Sequence, residues 1–220
     1  MGYNIAIDGP AGAGKSTIAK KVAALKGFIY VDTGAMYRAI AYYMLQNGID
    51  GNDENAVSQR VKEANVSLEY ENGAQTVILN GENVNGVIRT EEVGMMASAT
   101  AKYPAVRAHL MDIQQNLAKT KDVVMDGRDI GTVVLPNADL KIYLTASSGV
   151  RAKRRFLELE AKGQEADIEK IEKDIIERDY QDMHREVSPL VQAPDAVLVD
   201  SSDMTIDEVV SKIISLCEKR

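Results

Sequence analysis

Eight consecutive residues near the start of the chain, Gly9-Pro10-Ala11-Gly12-Ala13-Gly14-Lys15-Ser16, fit the pattern G-x-x-x-x-G-K-[ST] in full. Glycines let successive backbone N–H groups turn inward around phosphate oxygens, and a helix opening at Thr17 adds a favourable dipole. Lys15 is then placed to reach the β and γ oxygens, and the Ser16 hydroxyl to ligate Mg2+. The motif, a P-loop, reads as a site for a nucleoside triphosphate. Taken alone it does not separate a kinase from an ATPase or a GTPase. Asp126 follows the apolar run Val123-Val124-Met125, the usual position of a second acidic residue beside such a loop. There it would hold a magnesium-bound water, and a loop-capping Asp is nearly as good a reading of that residue by itself.

Three further clusters carry charge suited to phosphate. Asp32-Thr33-Gly34-Ala35-Met36-Tyr37-Arg38 leads from an apolar run into a helical pattern, with Thr33 able to cap the helix and Arg38 one turn on. Asp126-Gly127-Arg128-Asp129-Ile130-Gly131-Thr132 puts an Arg and two Asp on a glycine-flanked loop, where Arg has little to pack on. Arg178, Asp182 and Arg185 share one helix face by their spacing. An ordinary surface ion pair between Arg178 and Asp182 is the bland alternative. The nearby Arg151, Arg154 and Arg155 favour a lid that closes over phosphates.

The elements that must position these groups are legible as alternating patterns. Residues 3–8, 28–31, 122–125, 140–144 and 196–199 read as buried strands with helical segments between them, the signature of a parallel sheet with crossover helices. Gly27 stops the first helix, and Thr205-Ile206-Asp207-Glu208 opens the last as a capping box. One stretch breaks the alternation. Residues 66–70 and 75–79 have period two, and Asn72-Gly73 and Asn80-Gly81 supply hairpin turns, so a small antiparallel unit is inserted. Residues 151–182 read as two polar helices broken near Gly163.

Composition narrows the function classes. The formal charge of −7 argues against non-specific binding to nucleic acid or to an anionic membrane, so phosphate must be held by a few placed cations. One cysteine, Cys217, fits a reducing cytoplasm. No apolar run approaches membrane-spanning length, and no signal peptide is evident. No protein partner is indicated.

The chain resembles the bacterial-type cytidylate kinases over essentially its whole length. The resemblance rests on residues 7–16, 32–38 and 126–134, on Ile88-Arg89-Thr90-Glu91-Glu92-Val93, on Glu177-Arg178-Asp179 and on Ser188-Pro189-Leu190. Thr33 stands where the family often has Ser, and the hydroxyl is kept. The resemblance implies one α/β domain over 1–220 with the P-loop nucleoside triphosphate hydrolase fold, its parallel sheet flanked by helices. It also implies an inserted monophosphate-binding region over 33–100 and a lid over about 148–166. ATP would donate a phosphoryl group, with Mg2+, to CMP and dCMP. Residues 9–17 would bind ATP with Arg151 and Arg155 of the lid, and Ser16 and Asp126 would hold the metal. Thr33, Arg38, Arg128 and Arg185 would take the acceptor phosphate, with Lys15, Arg128 and Arg185 catalytic. Ser98, Arg107 and Asp129 would read the cytosine ring, Arg178 and Asp182 the sugar hydroxyls, and Tyr37 would line the pocket. A P-loop kinase for another small acceptor, such as shikimate, is the competing reading. A regulatory GTPase would need an Asn-Lys-x-Asp element, which the sequence lacks.

Overall fold

The computed structural model describes residues 2–71 and 74–218. In chain order its elements are β1 (Asn4–Asp8), α1 (Lys15–Lys26), β2 (Ile29–Asp32), α2 (Thr33–Gln46), α3 (Glu54–Arg60), β3 (Val66–Glu71), β4 (Ala74–Leu79) and β5 (Glu82–Asn83). They continue with α4 (Glu91–Thr100), α5 (Pro104–Thr120), β6 (Val123–Gly127), β7 (Leu140–Thr145), α6 (Ser148–Glu160), α7 (Ile168–His184), β8 (Val197–Asp200) and α8 (Ile206–Cys217). The chain forms two compact units, one of residues 2–3 and 28–123, the other of residues 4–27 and 124–218.

The second unit holds strands in the order β6-β1-β7-β8. β1 pairs parallel with β7 from Ile5↔Leu140 to Asp8↔Tyr143, and β7 with β8 from Ile142↔Val197 to Thr145↔Asp200. Ile5, Ala6, Ile7, Val124, Met125, Leu140 and Ile142 are all buried. Burial of neighbours in sequence, without alternation, marks strands covered on both faces, and apolar runs are what such strands require. Gly14 opens α1 in the left-handed region at φ 87°, and Gly27 closes it at φ 69° with its N–H on the carbonyls of Ala23 and Ala24. α8 packs on α1, and its N-terminus carries the expected capping box between Thr205 and Glu208.

In the first unit α2 buries Met36, Ile40 and Met44 in a core shared with Leu79, Ile88, Val93 and Leu110. β3, β4 and β5 form an antiparallel sheet registered from Val66↔Leu79 to Glu71↔Ala74. Asn80 and Gly81 both have positive φ, 49° and 88°, the backbone that a two-residue hairpin turn demands and that Asn-Gly supplies. The other expected turn, Asn72-Gly73, lies outside the described residues. β5, two exposed polar residues, has no apolar pattern by which to be seen in the sequence.

Three expectations shift by one or two residues, the first being α1, which begins at Lys15 rather than Thr17. Asp32, not Thr33, caps α2, its side chain accepting the Ala35 N–H at 2.9 Å. Thr33 is the first helical residue and is buried. Asp126 lies within β6 rather than after it.

Candidate active site

The phosphate loop runs from β1 into α1 along a tight path. At Gly9 a Cβ would stand 1.9 Å from the Leu144 carbonyl oxygen, so only glycine lets the loop leave β1 beside β7. Lys15, 6% exposed, folds back to donate to the Pro10 carbonyl at 2.8 Å. Burial, and then the Arg128 guanidinium, lower its pKa to about 7. The ammonium of Lys15 is therefore poorly compensated by the protein and well prepared for an anion.

Ser16 Oγ donates to Asp126 Oδ2 at 2.9 Å. A hydroxyl beside a carboxylate is the hard oxygen pair that Mg2+ takes from protein, its other positions being filled by water and phosphate. The two residues fit that ion. Among the described residues no group of three or more His, Cys, Asp or Glu forms a metal cluster, and Mg2+ at such a site needs none.

Beneath the loop, Asp8 accepts the N–H groups of Ile130 and Gly131 at 2.8 and 2.7 Å. Burial dominates over those bonds and raises its pKa to about 6. The bonds set the start of a wide helical turn, residues 130–134, in which the Val134 N–H reaches back five residues to the Asp129 carbonyl. Asp8 thereby fixes the loop that carries Arg128 and the buried Asp129. Arg128 Nε donates to Asp182 at 2.8 Å, and Arg185 lies 3.9 Å from the other Asp182 oxygen. Burial alone would raise the Asp182 pKa, but Arg128, Arg178 and Arg185 outweigh it and hold the group below its usual value. This corrects the surface-pair alternative for Arg178 and Asp182. Asp182 is 13% exposed, and Arg128 donates to it.

The lid arginines divide. Arg151 is buried, donating to the carbonyls of Ala11 and Ala146 and to both oxygens of Asp179. Arg154 donates to the Ser201 carbonyl at 2.8 Å. Arg155 is exposed and meets Glu158 at 3.3 Å.

In the first unit, Gln75 accepts the Asp32 N–H at 2.8 Å and donates to the Asp32 carbonyl at 3.3 Å. Arg89 pairs with the Asp32 carboxylate at 2.8 Å. Together they hold the start of α2, where Thr33 sits. Arg38 donates to the Ile88 carbonyl at 3.3 Å, and a Cβ at Gly94 would come within 3.1 Å of its Nη1, so α4 leaves a gap for this arginine. Arg107 is buried, donates to the Ala101 carbonyl at 3.2 Å and lies 5.5 Å from the centre of the Tyr37 ring. Ser98 is half-buried on α4.

The cytidylate kinase family model matches residues 5–219. The chain belongs to the cytidylate kinase family. It is 50% identical over 216 residues to the cytidylate kinase of Caldicellulosiruptor saccharolyticus, covering 98% of this chain and 96% of that one. To the cytidylate kinase of Shouchella clausii it is 49% identical over 218 residues, 99% of this chain and 97% of that one. Among solved structures, an uncharacterized protein from Eubacterium ventriosum aligns over 99% of each chain with a TM-score of 0.56 at 11% identity, a likeness of fold alone.

Asp8, Gln75 and Asp179 carry weight in this family member that the residue patterns do not announce. Their partners lie 122, 43 and 28 residues away in sequence. An Asp ending an apolar strand was a visible signal at Asp8; a Gln in an alternating strand was none.

Proposed function

We propose that the chain carries out the reaction of its family, ATP + CMP = ADP + CDP, and accepts dCMP in the same site. The observation that carries this reading is that Asp8, the residue before the phosphate loop, bonds the turn following Arg128 and Asp129, while Arg128 and Arg185 share Asp182. It joins a triphosphate loop to an arginine-rich anion site in one compact unit.

The attacking atom is a phosphate oxygen, already carrying about −1.5 to −2 charges per phosphate near neutral pH. No general base is required, and the main barrier is repulsion between two anions. Lys15 binds the β and γ oxygens, and its depressed pKa rises again when phosphate charge arrives beside it. The planar guanidinium groups of Arg128 and Arg185 fork onto the acceptor phosphate, with Asp182 holding Arg128 in aim. Ser16 and Asp126 would hold Mg2+, which would supply neutralisation of charge on the triphosphate. Thr33 and Arg38 are assigned to the acceptor phosphate, Arg178 and Asp182 to the sugar, and Ser98, Arg107 and Asp129 to cytosine with Tyr37 alongside. A carboxylate at Asp129 accepts from the cytosine N4 amine and opposes the uracil O4.

ATP turnover measured with CMP, dCMP, UMP or no acceptor tests the assignment. CMP and dCMP should stimulate ADP formation strongly and UMP weakly. Equal turnover with and without CMP would refute a CMP-accepting kinase.

A further inference from the structure

Asp179 has no part in the mechanism above, yet it is 14% exposed and forks onto Arg151, itself 5% exposed, at 3.0 and 2.5 Å. We infer that Asp179 is a positioning residue for the phosphate loop, acting through Arg151 on the peptide between Ala11 and Gly12. The inference rests on the proposed role of that loop in binding ATP.

A guanidinium has five N–H groups in a fixed plane. Arg151 gives four to protein: Nε–H to the Ala146 carbonyl at 2.9 Å, one Nη1–H to the Ala11 carbonyl at 2.9 Å, and the fork to Asp179. The fork fixes the plane, because two parallel bonds to one carboxylate leave no rotation. Ala146 fixes its Nε edge. What remains defined by these two is the direction of the bond to Ala11. The arginine stem also lies along the loop, its Cβ 3.4 Å from where a Gly12 Cβ would be.

The consequence follows from peptide geometry. In a trans peptide the C=O and the next N–H point opposite ways. Drawing the Ala11 carbonyl toward Arg151 turns the Gly12 N–H away from it. Gly12 sits at φ 75°, where glycine rotates at little cost, so the plane would otherwise flip readily. A flipped plane would present a carbonyl oxygen on the face that had offered an N–H. Placing two charges out of water is itself costly and contributes little net stability, so a role beyond clipping α6 to α7 accounts for the pair.

The test measures ATP affinity by titration calorimetry without acceptor, and then kcat and both KM values with CMP, in the full chain. Asp179→Asn keeps the shape but turns an amide N–H toward guanidinium donors. It should weaken ATP binding roughly tenfold and lower kcat, with the KM for CMP within about twofold of wild type. Asp179→Glu restores the fork and should recover most of the loss. Arg151→Lys should match Asp179→Asn, and the double variant should be no worse than the poorer single one. Wild-type ATP affinity in Asp179→Asn or, should that variant not fold, in Arg151→Lys, overturns the inference. So does a loss shared equally by ATP and CMP, which would mark a structural clip. Wild-type protein that binds ATP but does not phosphorylate CMP would instead refute the functional reading and leave this one standing.

Discussion

An ammonium group buried as deeply as that of Lys15 gives up its hydration, and one carbonyl and distant carboxylates replace only part of it. Its pKa falls to about 7. The unfolded chain therefore holds more protons at this position between pH 7 and its ordinary value of 10.5, and folding is penalised throughout the range below pH 7. Lys15→Met removes the charge and keeps the stem. The expected outcome is a loss of at least about 100-fold in kcat, with a thermal midpoint raised by roughly 5 °C at pH 7. Activity and calorimetric melting of one preparation check both halves, and a midpoint below wild type would contradict the burial argument. Lys15 and Ser16 were legible because eight adjacent residues make the loop. Asp179 was legible as part of the Glu177-Arg178-Asp179 stretch but not in its role, since nothing local says that its partner lies on another helix. Arg155, whose type and spacing suit a lid contact, meets Glu158 at the surface.

At the scale of elements, the inserted sheet earns its place through one side chain. Gln75 on β4 brackets both backbone groups of Asp32, so the sheet holds the residue that caps α2 and precedes Thr33. Gln75→Ala leaves two backbone groups without these bonds and lets the cap drift. The KM for CMP should rise about five- to tenfold while the KM for ATP stays unchanged, since one hydrogen-bonded amide is worth roughly 1 kcal/mol or slightly more. Steady-state kinetics with each substrate varied in turn decide it; parallel rises in both KM values would make the effect general loosening. Core strands fell within one or two residues of expectation because apolar runs between helices are unambiguous in a parallel sheet. The wide turn at 130–134 was not readable, for it is imposed by Asp8 from another strand. The cap of α2 was ambiguous because Asp32 and Thr33 are both capping types, and only the distance to Ala35 chooses between them.

For the whole molecule, acidity and stability are joined through carboxylates pulled in opposite directions. Asp8 has its pKa raised from 3.8 to about 6 by burial, whereas Asp182 has its own lowered by three arginines. The signs follow from proton counting. Between pH 4 and 6 the folded chain binds the Asp8 proton that the unfolded chain has lost. The stability owed to Asp8 is therefore fully present below its unfolded pKa and falls as pH rises through about 6. Over the full window this amounts to about 3 kcal/mol. Asp182 behaves inversely: its contribution is present above the unfolded value and is lost as pH falls. Urea unfolding of wild type, Asp8→Asn and Asp182→Asn at half-unit steps from pH 4 to 6.5 separates the two, because titrating groups that do not interact with the substituted carboxylate cancel in each difference. The stability of wild type minus that of Asp8→Asn should decline with rising pH, steepest near pH 5, whatever its absolute offset from the lost acceptor for Ile130 or Gly131. The stability of wild type minus that of Asp182→Asn should increase with pH and level off above pH 5. A flat difference for Asp8→Asn would mean that the two backbone N–H groups fully offset burial, leaving Asp8 a carboxylate in an ordinary range that merely pins the turn bearing Arg128 and Asp129.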